Sequence, residues 1–265
     1  MSAEPAPEPT PAPAAGPVPA SGRASSADPV TASGPVPASG PVTASRRQPA
    51  WLESRLAGLL RIVIQRGVLK PLVRYLVRVQ VVGRPAVTGP MVVVANHSSH
   101  LDAPLMVTFL PLALTRRLAV GAAADYFFDS KKRAILTGLV FNAFPIDRGK
   151  NKPMRGTSGR LLDDGFSLLV FPEGTRSRDG LMGEFQLGAA ALCVSKAVPC
   201  LPIGITGAYD AMPRGRNWPR PRRLPVRFAI GDPLTPGPGE SVPEFAARMQ
   251  AAVTALHDQG VRDAG

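Results

Sequence analysis

The sequence predicts an α/β fold: a largely parallel central sheet flanked by helices, preceded by amphipathic helices and a disordered N-terminal tail. Three observations lead there. Short apolar runs alternate with helical patterns between Met91 and Ile205, the order produced by crossover connections between parallel strands. Polar stretches rich in ionisable residues follow three of those runs, and in open α/β sheets sites collect beyond the carboxyl ends of strands. Finally, the composition changes sharply close to residue 48.

Residues 1–48 are dominated by Pro, Ala, Ser and Gly, and "GPVPASG" occurs at 16–22 and again at 34–40. With so few large apolar side chains the segment cannot bury enough surface to offset its ordering entropy. It reads as a disordered, partly polyproline-like tail, and residues 49–265 as the folded domain. From Trp51 to Gly83 the pattern is that of two amphipathic helices broken near Gly67 and Pro71. Apolar faces there alternate with Arg55, Arg61, Arg66, Lys70, Arg74 and Arg78. One reading packs the apolar faces on the core and leaves the basic ones in solvent. The other makes 49–83 a membrane-contacting surface for anionic lipid. Expected strands follow at 91–95, 118–120, 144–146, 166–171 and 200–205, with helices at 102–110, 131–141, 153–163 and 187–196.

The 265-residue chain has a net charge of +12 and a pI near 10.8, which favours anionic partners: acidic lipid, phosphorylated substrate or nucleic acid. Cys193 and Cys200 are the only cysteines, too few for a disulfide framework or a cysteine zinc site. They are expected to be small buried hydrophobes. The opening "MSAEPAPEPT" lacks a basic stretch followed by an apolar one, so no secretory signal is expected. No window reaches the roughly 18 uncharged apolar residues of a membrane span. Any membrane contact is expected to be peripheral.

"NHSSHLD" (96–102) follows the apolar run "MVVVA" and gathers two of the chain's three histidines with an aspartate. Metal binding would want a third ligand, and His257 is far along the chain. Helix capping suits Asp102, with Pro104 in the first turn of "DAPL", but leaves His97 unexplained. Proton transfer explains both. A carboxylate on one imidazole nitrogen fixes the tautomer and stabilises the imidazolium, freeing the other nitrogen to take a proton from an alcohol. Ser98 and Ser99 adjoin His97 and suit the turn better than a nucleophile's role. With no enzyme nucleophile, a substrate hydroxyl attacks directly.

"FPEGTRSRDG" (171–180) brings Glu173, Gly174 for backbone access, hydroxyls on Thr175 and Ser177, and the cations Arg176 and Arg178. Such a loop can hold phosphate through forked, charge-assisted hydrogen bonds. "FPIDRGK" (144–150) adds Asp147, Arg148 and Lys150. These pieces, in this order, resemble the glycerophospholipid acyltransferase family, particularly the 1-acyl-glycerol-3-phosphate acyltransferases. Its His-x4-Asp block matches His97 to Asp102, its Phe-x-x-Arg-like block matches "FPIDR", and its Glu-Gly-Thr-Arg-Ser block matches Glu173 to Ser177. An apolar Val-Pro-x-x-Pro-Ile block matches 198–203. The resemblance implies that His97 is the general base and Asp102 its partner. It also implies substrate binding by Arg148, Glu173, Gly174, Thr175, Arg176, Ser177 and Pro199. Where the family often shows Phe-Lys-x-Gly-Ala, this chain has "FQLGAA", with Gln186 in place of the lysine.

The implied reaction moves an acyl group to the free hydroxyl of 1-acyl-glycerol-3-phosphate. The implied partners are that lysophospholipid, a thioester co-substrate (acyl-CoA or acyl-carrier protein) and an anionic membrane surface on the cytoplasmic side. No metal or resident cofactor is expected, and no nucleic acid. Another lysophospholipid, or glycerol-3-phosphate, is the alternative acceptor. A rival of another class is a basic, non-catalytic module binding lipid or nucleic acid. It finds some support in the six arginines around Trp218 at 211–228, which suit a lipid–water interface or a phosphate backbone. It leaves "EGTRS" without a purpose.

Overall fold

The computed structural model describes residues 54–84, 89–123, 131–146 and 155–263. The tail at 1–48 and the triplet Asp147, Arg148 and Lys150 lie outside them. In chain order the elements are α1 (Arg55–Val63), a π-helical turn (Ile64–Leu69), α2 (Lys70–Leu76), β1 (Arg78–Val82), β2 (Val92–Ala95), α3 (Asp102–Phe109), α4 (Leu112–Thr115) and β3 (Leu118–Ala123). Then come α5 (Lys131–Phe141), β4 (Ala143–Ile146), α6 (Arg155–Asp163), β5 (Ser167–Val170), α7 (Gly188–Lys196), β6 (Cys200–Thr206), α8 (Ala208–Ala211), β7 (Pro225–Ile230) and α9 (Val242–Arg262).

The strands form one sheet ordered β1-β7-β6-β2-β5-β3-β4. All neighbours run parallel except β6 and β7. The sheet is therefore a five-stranded parallel core with a two-stranded edge, β7 and β1, running the other way. The expected largely parallel sheet with flanking helices is what forms. Two strands were not anticipated. β1 occupies the end of a segment expected to be helical, and β7 emerges from the arginine-rich stretch at 211–228. Each is short; β1 pairs only with β7, far along the chain, and β7 pairs also with the preceding strand β6.

Strand β2 shows why its sequence lacks alternation. Val93 and Ala95 face one apolar cluster with α2 and α3, while Val92 and Val94 face another with α7 and α9. A strand covered on both faces wants apolar residues throughout. From β2 the chain crosses by α3 to β3, beyond β5. From β5 it crosses by α7 to β6, on the far side of β2. The two connections leave in opposite directions over opposite faces, which opens a crevice at the carboxyl ends of β2 and β5.

The N-terminal helical run differs from expectation in two ways. It is not broken at Gly67 and Pro71. A π turn joins α1 to α2, with the Lys70 N–H reaching back to the Gln65 carbonyl, and the widened turn keeps the run helical through Pro71. The extra residue also sets the faces. Arg61 and Arg66 are five apart, as are Val63 and Val68, and the π turn keeps each pair on its own stripe. The stripes are then inverted relative to a surface helix. Arg61 is 6% exposed and donates to the carbonyls of Leu139 and Gly138. Gln65 donates to the Val140 carbonyl at 2.7 Å. Arg66 donates to the carbonyls of Thr108 (2.5 Å) and Leu110 (2.8 Å) and to the Thr115 hydroxyl. These groups satisfy the carbonyls left over at the ends of α5 and α3. Lys70 and Arg74 lie over the Phe109 ring. Leu56, Leu59, Val63, Val68 and Tyr75 face solvent instead, each more than 60% exposed.

Candidate active site

The site is built from the turn that follows β2. Asn96 extends the strand with its side chain: its amide donates to the Ile205 carbonyl at 2.9 Å and accepts from the Ile205 N–H at 2.8 Å. Those two bonds continue the β2–β6 pairing for one more residue and set where His97 leaves the sheet. Asp102 begins α3 but does not cap it, since Leu101 is the N-cap residue and makes no side-chain bond. This rules out the alternative of Asp102 as the helix cap. The carboxylate turns back on its own loop, and Oδ2 accepts from the backbone N–H groups of Ser98 and Ser99, both at 2.8 Å.

The same oxygen lies 2.8 Å from His97 Nδ1, and the Asp102 side chain is fully buried. An acceptor held in this way places the shared hydrogen on Nδ1 and the lone pair on Nε2. The His97 ring stacks on Phe171 at the end of β5, with centroids 4.0 Å apart and planes 16° apart, and its side chain stays 20% exposed. The geometry is that of an oriented base with one open face. Ser99 serves the turn as expected: its hydroxyl accepts from the Leu101 N–H and donates to the Met212 carbonyl. His100 is half-buried. Burial first, then the positive charge of Arg176, holds its imidazole below the ordinary histidine value.

The loop after β5 is tied to this turn. Glu173 accepts from the His97 N–H at 2.6 Å with one oxygen and from the Gly183 N–H at 2.9 Å with the other. Burial raises its pKa in spite of those two bonds. The Ser177 N–H donates to the His97 carbonyl at 2.8 Å, so both backbone polar groups of the histidine are fixed by the Glu-Gly-Thr-Arg-Ser segment. Gly174 has a φ of +72°, and a Cβ there would meet the Gln186 amide at 2.5 Å. The left-handed conformation favours glycine, whereas the exposed Gln186 side chain can move aside. The Ser177 hydroxyl bonds Asp179 and the Gly180 N–H. A pocket of about 380 Å³ opens beside this loop, with Thr175 and Arg176 among its lining residues.

The structure thus brings His97, Asp102 and residues 173–177 together. Arg148 falls outside the described residues. Pro199 is not brought to this end of the sheet. It precedes β6, and its carbonyl accepts from the Val92 N–H, on the order of 13 Å of strand from the histidine turn. Motif order in the sequence does not reveal which end of a strand a residue occupies. Phe171 and Asn96 were missed as positioning residues. Their signal was only their place at strand ends. The two cysteines are both buried, with burial pushing the Cys193 thiol up to about 12 and Cys200 well above its ordinary value, so neither offers a thiolate. Among the described residues no three His, Cys, Asp or Glu side chains gather as a metal-ligand set.

Comparison with known proteins agrees with this picture. A family model described as "Acyltransferase" matches residues 78–206, from β1 to the end of β6. The mouse 1-acyl-sn-glycerol-3-phosphate acyltransferase alpha is 33% identical over 182 residues, covering 64% of this chain and 59% of that protein. The chloroplastic 1-acyl-sn-glycerol-3-phosphate acyltransferase BAT2 of Brassica napus is 31% identical over 140 residues, covering 49% of this chain and 37% of that protein. The chain spans about half the length of the curated relatives it matches. The crystal structure of the 1-acyl-sn-glycerophosphate acyltransferase PlsC from Thermotoga maritima shares the fold, with a TM-score of 0.57, 24% identity, and coverage of 77% of this chain and 95% of that one.

Proposed function

We propose, on the premise that this chain belongs to the glycerophospholipid acyltransferase family, that it moves a fatty acyl group from acyl-CoA or acyl-carrier protein to the free hydroxyl of 1-acyl-glycerol-3-phosphate, giving phosphatidate. The observation behind this reading is the His97–Asp102 pair, 2.8 Å apart and held by the loop that contains Arg176. His97 Nε2 takes the hydroxyl proton as the alcohol oxygen attacks the thioester carbonyl carbon. Asp102 stabilises the imidazolium that forms. The tetrahedral intermediate collapses, the C–S bond breaks, and the departing thiolate takes the proton back from His97. Arg176 holds the acceptor's phosphate and Glu173 positions the turn, so the hydroxyl meets the base with little orientational entropy left to lose. No resident cofactor or metal takes part in these steps.

The acceptor's acyl chain places the reaction at a membrane. Among the described residues no helix is long and apolar enough to cross one. The outward stripe of Leu56, Leu59, Val63, Val68 and Tyr75, with exposed Trp218, supports peripheral attachment, and the charge of +12 supports an anionic surface. Attachment on the cytoplasmic face would give access to both thioester donors.

The test is turnover by purified protein on liposomes, offering several lysophospholipids with each donor. Phosphatidate from lysophosphatidate is the expected product. No transfer to any lysophospholipid from either donor sinks the reading, and a mobility shift of DNA at matched salt would favour the binding-module rival.

A further inference from the structure

We infer that the loop between α8 and β7 reads bilayer charge: Arg216, Arg220 and Arg222, set around Trp218, dock on an anionic lipid surface and bring the rim of the pocket to it. The inference rests on the proposed membrane location and assigns its charge dependence to one loop; it does not need the acyl transfer. No acidic residue occurs between Asp210 and Asp232, nor between Glu53 and Asp102, and the fold joins these two acid-free segments. The Arg223 guanidinium donates to the carbonyl of Arg74, in the last turn of α2, at 2.6 Å. Arg78 Nε donates to the Arg223 carbonyl at 3.1 Å. The other end of the loop reaches the site. Ser99, inside the histidine turn, donates to the Met212 carbonyl, and Arg214 lines the pocket. The Arg220 N–H closes the neck on the Ala211 carbonyl at 2.7 Å. The loop therefore runs from the pocket to the end of the helical run whose apolar stripe faces outward.

Arg216, Arg220, Arg222 and Trp218 are all exposed, and none of the three arginines forms an ion pair among the described residues. Arg216 makes one long side-chain bond, 3.5 Å to the Trp218 carbonyl. The backbone adds a second observation. Arg222 and Arg223 hold φ angles of +86° and +50°, a region where glycine is the usual occupant. The bond to α2 accounts for Arg223. Arg222 has no such partner among the described residues, so its strained backbone presents an exposed cation and nothing else, which marks a functional rather than a folding residue. An indole among guanidinium groups suits the headgroup region, where the ring sits at the interface and the cations meet lipid phosphates. A duplex would be read by a helix or strand entering a groove, and the loop from α8 to β7 contains neither.

The experiment floats the full chain, without any acyl donor, on vesicles of phosphatidylcholine alone and on vesicles with about one-third phosphatidylglycerol. The triple change Arg216→Gln, Arg220→Gln and Arg222→Gln is expected to lower partition onto the charged vesicles by roughly two orders of magnitude, at roughly fivefold per cation. Partition onto the neutral vesicles should stay as in wild type. Arg222→Gly separates binding from folding. It removes the backbone strain and should leave Tm no lower, yet weaken binding to the charged vesicles roughly fivefold. Unchanged partition of the triple variant, or an equal loss on both kinds of vesicle, would overturn the assignment. So would binding of duplex DNA that the triple change abolishes while vesicle binding persists. The readout needs no turnover: a loss confined to charged vesicles supports the assignment even if acyl transfer fails, and its absence refutes it even if transfer succeeds.

Discussion

The first and last helical segments of the domain solve opposite problems. The C-terminal helix α9 follows the ordinary surface pattern. A capping box between Ser241 and Glu244 starts it, and Phe245, Ala246, Met249 and Val253 face the sheet. The run from α1 to α2 turns Arg61 and Arg66 inward onto the ends of α5 and α3 and Leu56 and Leu59 outward. Both segments are amphipathic in sequence, with period near 3.6. The contrast teaches that periodicity identifies two faces without saying which one the fold buries. The buried face is whichever the neighbouring elements can satisfy, and here the neighbours offer bare carbonyls as well as apolar side chains.

Substitutions can break or sharpen that contrast. Phe245→Ala should cost about 3–5 kcal/mol in chemical denaturation, the usual cost of emptying a fully buried aromatic site. Arg66→Ala should cost roughly 1–3 kcal/mol, because the carbonyls of Thr108 and Leu110 lose a charged donor. If it instead behaves like a solvent-exposed arginine, the inward reading of the stripe is wrong. The double change Leu56→Ser and Leu59→Ser should leave stability within about 0.5 kcal/mol while lowering recovery on floated anionic liposomes. A large loss of stability would mean those leucines are packed. The smallest effect belongs to neither helix. The folded state lowers the pKa of His100, so it binds this proton less readily than the unfolded chain. Stability is lost as pH falls from about 6.5 toward the lowered value. His100→Gln should flatten that part of the Tm–pH curve.

How much of this was legible beforehand depended on range. The five parallel strands and the longer helices between them were readable because each is a local run with a local boundary; the single turn of α4 was not. β1 and β7 were not, since "RVQVV" and "PVRFAI" become a parallel pair only after the intervening chain has folded. In the site, His97, Asp102 and the Glu-Gly-Thr-Arg-Ser loop announce themselves by spacing. The stacking of Phe171 on His97 and the hold of Glu173 on the His97 N–H depend on contacts between segments more than seventy residues apart, and the inward turn of Asp102, though local, is a backbone geometry that spacing does not reveal. Pro199 shows the converse: a residue can belong to a motif series and still sit at the wrong end of a strand.

The most direct measurement is the acyl-transfer rate from a thioester to lysophosphatidate by wild type and His97→Ala under saturating substrates, with thermal melts alongside. Loss of an oriented general base should slow transfer by a factor of roughly 10² to 10⁴ with little change in Tm. Near-normal transfer by a well-folded His97→Ala protein would contradict the account at its centre.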